Sequence, residues 1–153
     1  MAFGKLHFRH RGRYPQGTFD WVNLFSSCNR AESCGKHKDK CGYTPAYLIK
    51  PDVDEPDDYF VFVSDGTIVP RADLSLAQQR ATEILPIFNI DAQNCGLCHM
   101  CCFAITGYLQ TADELRELAE HSTESDWLPL LYSELVANAH LPFATANRHA
   151  FVG

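Results

Sequence analysis

Three side chains stand in order where the chain is richest in chemistry: His7, Asn23 and His37, in a run that also holds His10, Cys28, Cys34 and Cys41. A neutral imidazole can take a proton from water, and a divalent cation held by a second histidine can stabilise charge growing on a phosphodiester and its leaving oxygen. Between the two, an asparagine amide both donates and accepts hydrogen bonds and can hold the intervening loop. Arg9, Arg11, Arg13, Lys36 and Lys38 surround these positions and are candidate phosphate contacts. Taken singly, each residue has a plainer explanation. His7 sits between Leu6 and Phe8 as a strand histidine would, Asn23 suits a turn or cap, and His37 lies in a polar stretch that reads as a solvated loop.

The surrounding text adds to the spacing. His7-Phe8, Tyr14-Pro15, Trp21-Val22-Asn23-Leu24 and Ser27-Cys28 follow one another, and Leu48 to Pro70 continues the pattern downstream. Over residues 5 to 92 the chain resembles the HNH endonucleases that act as effectors beside bacterial retron and Septu-type (PtuB-like) anti-phage systems. The resemblance implies an HNH-like ββα-metal module over residues 5–45 and a metal-dependent DNA endonuclease working with an ATPase or reverse-transcriptase partner. It puts His7 in the general-base position, Asn23 in the middle position and His37, with His10 as a further candidate, at a Mg²⁺, Mn²⁺, Ni²⁺ or Zn²⁺ ion. Two departures stand out. Leu6 occupies the place where the family usually carries an acidic ligand, so His10 or Asp20 would have to supply the missing donor. The family's Cys-x-x-Cys zinc clamp has no room among the six residues before His7, so either the reading frame starts upstream or other cysteines rebuild the clamp. A non-catalytic zinc or iron–sulfur protein, or an inactive HNH relative, is the alternative.

Seven cysteines suit metal binding better than a disulfide framework in a reducing compartment. Cys28, Cys34 and Cys41 could form a structural zinc site with a fourth ligand from elsewhere. Cys95, Cys98, Cys101 and Cys102 put thiolates at Cys-x-x-Cys steps that zinc or an iron–sulfur cluster would accept, with a fourth ligand from Cys28, Cys34, Cys41 or His99. On a continuous helix, Cys95, Cys98 and Cys102 would instead share one face and pack as small apolar groups.

Charge is unevenly spread. Residues 1–50 carry nine Lys and Arg against three Asp and Glu, and residues 51–153 carry four against sixteen, within a net charge of −6. The positive half coincides with the proposed site, where it could steer DNA phosphates or simply form a solvated basic face. The length fits a single domain over residues 1–153. No apolar stretch approaches the roughly 20 residues of a membrane span, and no signal peptide is legible, so a cytoplasmic protein without a membrane partner is expected.

The elements that would position these residues read as α+β. Short strands and a long loop are expected over the first 45 residues, with Val22 to Ser27 as a short helix or turn carrying Asn23. A hairpin region follows over residues 46–70. In it, Ala46 to Lys50 reads as a strand start, and Tyr59 to Val63 is a β-branched and aromatic strand that turns at Asp65-Gly66 into Thr67-Ile68-Val69. A helical scaffold is expected over residues 74–140: a helix capped by Ser75 and running to about Leu85, one started by the Thr111-x-x-Glu114 capping box, and a last one capped by Ser125 or Asp126 that buries Leu128, Leu131, Leu135 and Val136.

Overall fold

Phe3–His7 forms strand β1 and pairs antiparallel with strand β2, Leu24–Cys28, in a register that sets His7 opposite Leu24 and Leu6 opposite Phe25. The computed structural model describes residues 3–28, 30, 32, 34–83, 85–90 and 96–152. Its order of strands and helices makes the chain α+β, and two units are distinguished, Met1–Tyr59 with Pro70–Cys95 and Phe60–Val69 with Gly96–Gly153. Among the described residues, no helix is long and apolar enough to cross a membrane.

In the first unit, helix α1, Cys34–Lys40, packs on the β1–β2 ribbon. Gly35 permits that approach, because a Cβ there would overlap the Leu6 side chain and stand 3.3 Å from Ser27 Oγ. Beside the ribbon, Phe8 and Leu48 are buried among Phe25, Tyr43, Ile87 and Phe88, with the Phe8 and Phe25 rings 5.8 Å apart. Burying each such large apolar side chain contributes about 1.5–3 kcal/mol, so this cluster anchors the segment that follows His7. Helix α2, Leu76–Thr82, starts at a Ser75–Gln78 capping box, and helix α3, Leu85–Phe88, packs against α1.

In the second unit, β3, Phe60–Phe62, pairs with β4, Ile68–Pro70, across the expected Asp65-Gly66 turn. Gly66 has φ +87°, and a Cβ on it would overlap Cys98 O and lie 2.8 Å from Cys102 N. Helix α4, Gly96–His121, supplies Ile105 to a cluster with Ala146 and Ala150 of helix α6, Ala144–Val152, joined by Phe62, Leu109 and Phe143. Helix α5, Glu124–Asn138, lies between them in sequence.

Several local expectations are corrected. Val22 to Ser27 is not one helix or turn: Asp20 Oδ1 accepts from Val22 N–H, a single 3-10 turn closes at Trp21–Asn23, and the chain then enters β2. The deciding partner is β1, distant in sequence. Ala46 to Lys50 forms no strand, because Pro45 starts a 3-10 turn and Lys50 N–H is taken by Asp54 Oδ2 at 2.6 Å. The Ser75-capped helix stops at Thr82, and Pro86 lies within α3 rather than ending a helix at Leu85. Thr111 starts nothing: buried Cys98, Cys101, Ile105 and Ala112 keep one face of α4 continuous, and Glu114 accepts from Gln110 Nε2. At α5 the cap is Thr123, and the Asp126 carboxylate accepts from its N–H and Oγ1. Val136, 70 % exposed, is not on a buried stripe. Helix α6 was not expected; its packing relies on small alanines, which leave little periodic signal.

Candidate active site

His7 closes β1, and its Nε2 lies 3.2 Å from Thr18 O. A carbonyl oxygen only accepts, so Nε2 carries the proton and Nδ1 of the neutral ring keeps its lone pair. Asn23 stands at the entrance to β2 with 4 % exposure. Its Oδ1 accepts from Arg9 N–H at 2.6 Å, and its Nδ2 donates to Gly17 O at 2.9 Å and Arg9 O at 3.2 Å. Phe8 N–H donates to Asn23 O at 2.9 Å. One amide thus ties residues 9, 17 and 23 together and closes the loop that leaves His7. The close approach is visible at Gly17, where a Cβ would come within 3.2 Å of Asn23 Nδ2.

His37 lies on α1, where its Nδ1 is 3.0 Å from Ile87 O and 3.7 Å from Cys41 Sγ. The same argument protonates Nδ1 and leaves the Nε2 lone pair available, the arrangement in which a histidine ligand is oriented by a backbone carbonyl. The two rings nevertheless take different partners. Successive helix positions are about 100° apart. Gly35 and Lys38, three apart, share the face turned to the ribbon, and His37 turns toward α3. Among the described residues, no group of three or more His, Cys, Asp and Glu side chains is assembled that could hold a metal ion.

The position on α1 that does reach His7 is Lys38. It was expected at the surface as a phosphate contact and is instead fully buried, so that assignment is corrected. Its ammonium donates to His7 O at 2.9 Å, Asp39 Oδ1 at 2.7 Å and Tyr43 OH at 3.2 Å, and lies 5.0 Å from the Tyr43 ring centroid. A buried charge needs such partners. Tyr43, which the sequence did not single out, also accepts from His10 N–H at 2.7 Å and donates to Phe8 O at 3.4 Å. The Gly35/Lys38 spacing was the available signal for the buried lysine; nothing local marked Tyr43.

Other candidates divide by environment. His10 Nδ1 accepts from Gly12 N–H at 3.2 Å, so its proton sits on Nε2; ligation through Nδ1 would cost that bond, and ligation through Nε2 would need the opposite tautomer as well. Asp20 Oδ1 is engaged by Val22 N–H. Arg9, Arg11, Arg13 and Lys36 are exposed. Arg13 Nη1 donates to Cys41 O at 2.6 Å, and its guanidinium stands 5.9 Å from the Tyr43 ring centroid. Cys28 ends β2, Cys34 begins α1 with φ +55°, and Cys41 follows α1, each half-buried. Cys95 lies outside the described residues. Cys98 and Cys101 are buried on uninterrupted α4, and the Cys98 thiol donates to Asp65 O at 3.7 Å, as a packed, protonated thiol can.

The first unit therefore presents a strand, strand, helix arrangement with one imidazole and one asparagine brought to a common loop, a second imidazole turned aside, and a buried lysine beneath. No protein-family model matches the chain, and no curated protein matches it.

Proposed function

We propose that the first unit is an HNH-type ββα endonuclease module that hydrolyses phosphodiester bonds in DNA, and that the chain is the effector of a bacterial anti-phage system. The observation that carries this is the Asn23 amide bridging Arg9 and Gly17, which fixes the loop beside His7 while Thr18 O holds the His7 ring in the tautomer with a basic Nδ1. In the step that follows, Nδ1 takes a proton from water and the water oxygen bonds to phosphorus. The ester P–O bond breaks, and the imidazolium returns its proton to the leaving oxygen. Exposed Arg9 and Arg11, whose side chains have no hydrogen-bond or ion-pair partner among the described residues, would offset phosphate charge.

The donors brought together do not make a closed cation site, since among the described residues no group of three or more His, Cys, Asp and Glu side chains is assembled, and no step is written through an ion. Mg²⁺, Mn²⁺, Ni²⁺ and Zn²⁺ enter as variables of the test. By the same resemblance, the partner would be an ATPase or a reverse transcriptase.

A second possibility, a relative that binds nucleic acid without cutting it, is favoured by the Lys38 ammonium on His7 O and by Leu6 packed against Gly35 where an acidic ligand would stand. Leu6 brings no oxygen donor to a divalent ion, and the Lys38 ammonium, paired with Asp39, already occupies the His7 carbonyl. Supercoiled and linear DNA incubated with purified protein, with each of the four ions and with none, separates the two. Cutting that depends on His7 supports the nuclease; binding without cutting under every condition supports the second.

A further inference from the structure

Phe19 and Trp21 are 92 % and 85 % exposed, yet they sit in a segment held by successive turns. Asp20 N–H donates to Gly17 O at 3.3 Å, Asn23 N–H to Asp20 O at 3.0 Å, and Thr18 Oγ1 to Pro15 O at 2.8 Å. Asp20 Oδ1 accepts from Val22 N–H between the two aromatics. Both rings are therefore displayed by a backbone already committed to its shape, instead of being left out by a loose loop. Thr18, whose carbonyl engages His7, precedes Phe19, and Asn23, whose amide holds both backbone groups of Arg9, follows Trp21 by two. The same bonds that set the His7 ring bring exposed aromatics and exposed arginines into one loop cluster.

An aromatic face in water is matched by an unpaired nucleobase, which offers a π-face whatever its identity, while the neighbouring guanidiniums match the backbone phosphates. In a duplex those base faces are stacked on each other and out of reach. We infer that Phe19 and Trp21 form a stacking ledge for unpaired bases, so that single-stranded nucleic acid is the preferred ligand of this loop. The inference deepens the nuclease proposal and rests on it for the chemistry that follows binding, but the binding itself requires neither catalysis nor a metal.

The test uses the full chain with EDTA present, titrated with a short oligo(dT) and with a duplex of the same length, read by fluorescence anisotropy of labelled DNA. Oligo(dT) is expected to bind more tightly than duplex. Trp21→Ala and Phe19→Ala are each expected to weaken oligo(dT) binding about ten- to a hundred-fold while leaving duplex binding within about twofold, and Trp21→Phe to retain most of the affinity. Because both side chains are exposed, circular dichroism of the variants should superpose on the parent. Equal affinity for the two DNA forms, or alanine variants that bind oligo(dT) like the parent, would overturn the ledge and leave a protein surface as the occupant of these aromatics. Failure of the parent to cut DNA, with stacking intact, would count against the nuclease alone, whereas His7-dependent cutting with no aromatic effect on binding would count against the ledge alone.

Discussion

Asn23→Ala should loosen the loop that leaves His7 far more than an ordinary surface change. The amide makes three hydrogen bonds, one accepted from Arg9 N–H and two donated to Arg9 O and Gly17 O, and the side chain is almost wholly buried. Each net hydrogen bond contributes about 1 kcal/mol, and a buried group left unpaired costs about 1–3 kcal/mol. Water can reach part of exposed Arg9 once the amide is gone, so the sum comes to about 2–4 kcal/mol. Asn23→Asp should be no milder. Asp keeps an oxygen for Arg9 N–H but replaces the donor nitrogen with an acceptor facing two carbonyl oxygens. The local readout is hydrogen exchange of the Arg9 amide in the intact chain, whose rate should rise roughly thirty- to a thousand-fold in both variants, while amides of α4 remain as protected as in the parent. An Arg9 amide that exchanges within about threefold of the parent in Asn23→Ala, or is restored in Asn23→Asp, would refute the bridging role.

Gly35→Ala should destabilise the first unit by about 1–3 kcal/mol through overlap with Leu6, and Leu6→Ala in the same chain should recover part of that loss in a urea-unfolding double-mutant cycle; additive effects would contradict the close approach. Lys38→Met should cost about 1–3 kcal/mol in the same assay yet leave the salt dependence of DNA binding unchanged, whereas Arg11→Ala should reduce the slope of log K against log salt by about one. In a carboxyl NMR titration, Asp65 and Asp73 should titrate below the usual aspartate range, Asp65 because Thr67 donates to it and Asp73 because the Arg71 guanidinium forks onto it. A depressed carboxylate stabilises the fold above its unfolded pKa and that contribution is lost as pH falls through the folded value. Arg71→Ala should therefore raise Asp73 toward the usual range, leaving the part held down by its backbone hydrogen bond, and leave Asp65 low, and movement of both together would contradict the assigned causes.

Local signals found what local chemistry decides. The β3–β4 hairpin announced itself through Tyr59 to Val63 and the Asp65-Gly66 turn, and Ser75 did cap α2. The errors fell where a distant partner decides. Leu24 to Cys28 became a strand because β1 lies alongside, and α4 ran through a good capping signal because its buried face never lapses. At the site, the order His7, Asn23, His37 was legible, and Asn23 as the residue that holds the loop was too. The orientation of α1 was not. One helical step separates His37 from Lys38, and close packing at Gly35 settles which of them faces His7. A basic run written in one dimension does not say which of its charges is enclosed, so Lys38 looked like its exposed neighbours. Exposed Phe19 and Trp21 are equally silent in the sequence, where an aromatic reads first as core.

The most direct test is single-turnover nicking of DNA by the parent and by His7→Ala at matched, saturating DNA occupancy, across Mg²⁺, Mn²⁺, Ni²⁺ and Zn²⁺ and without added ion. General-base catalysis by one positioned imidazole predicts a parent that cuts and a variant about a hundred- to ten-thousand-fold slower at the same DNA occupancy. Equal nicking rates in the two proteins, or no cutting by the parent under any of these conditions, would contradict it.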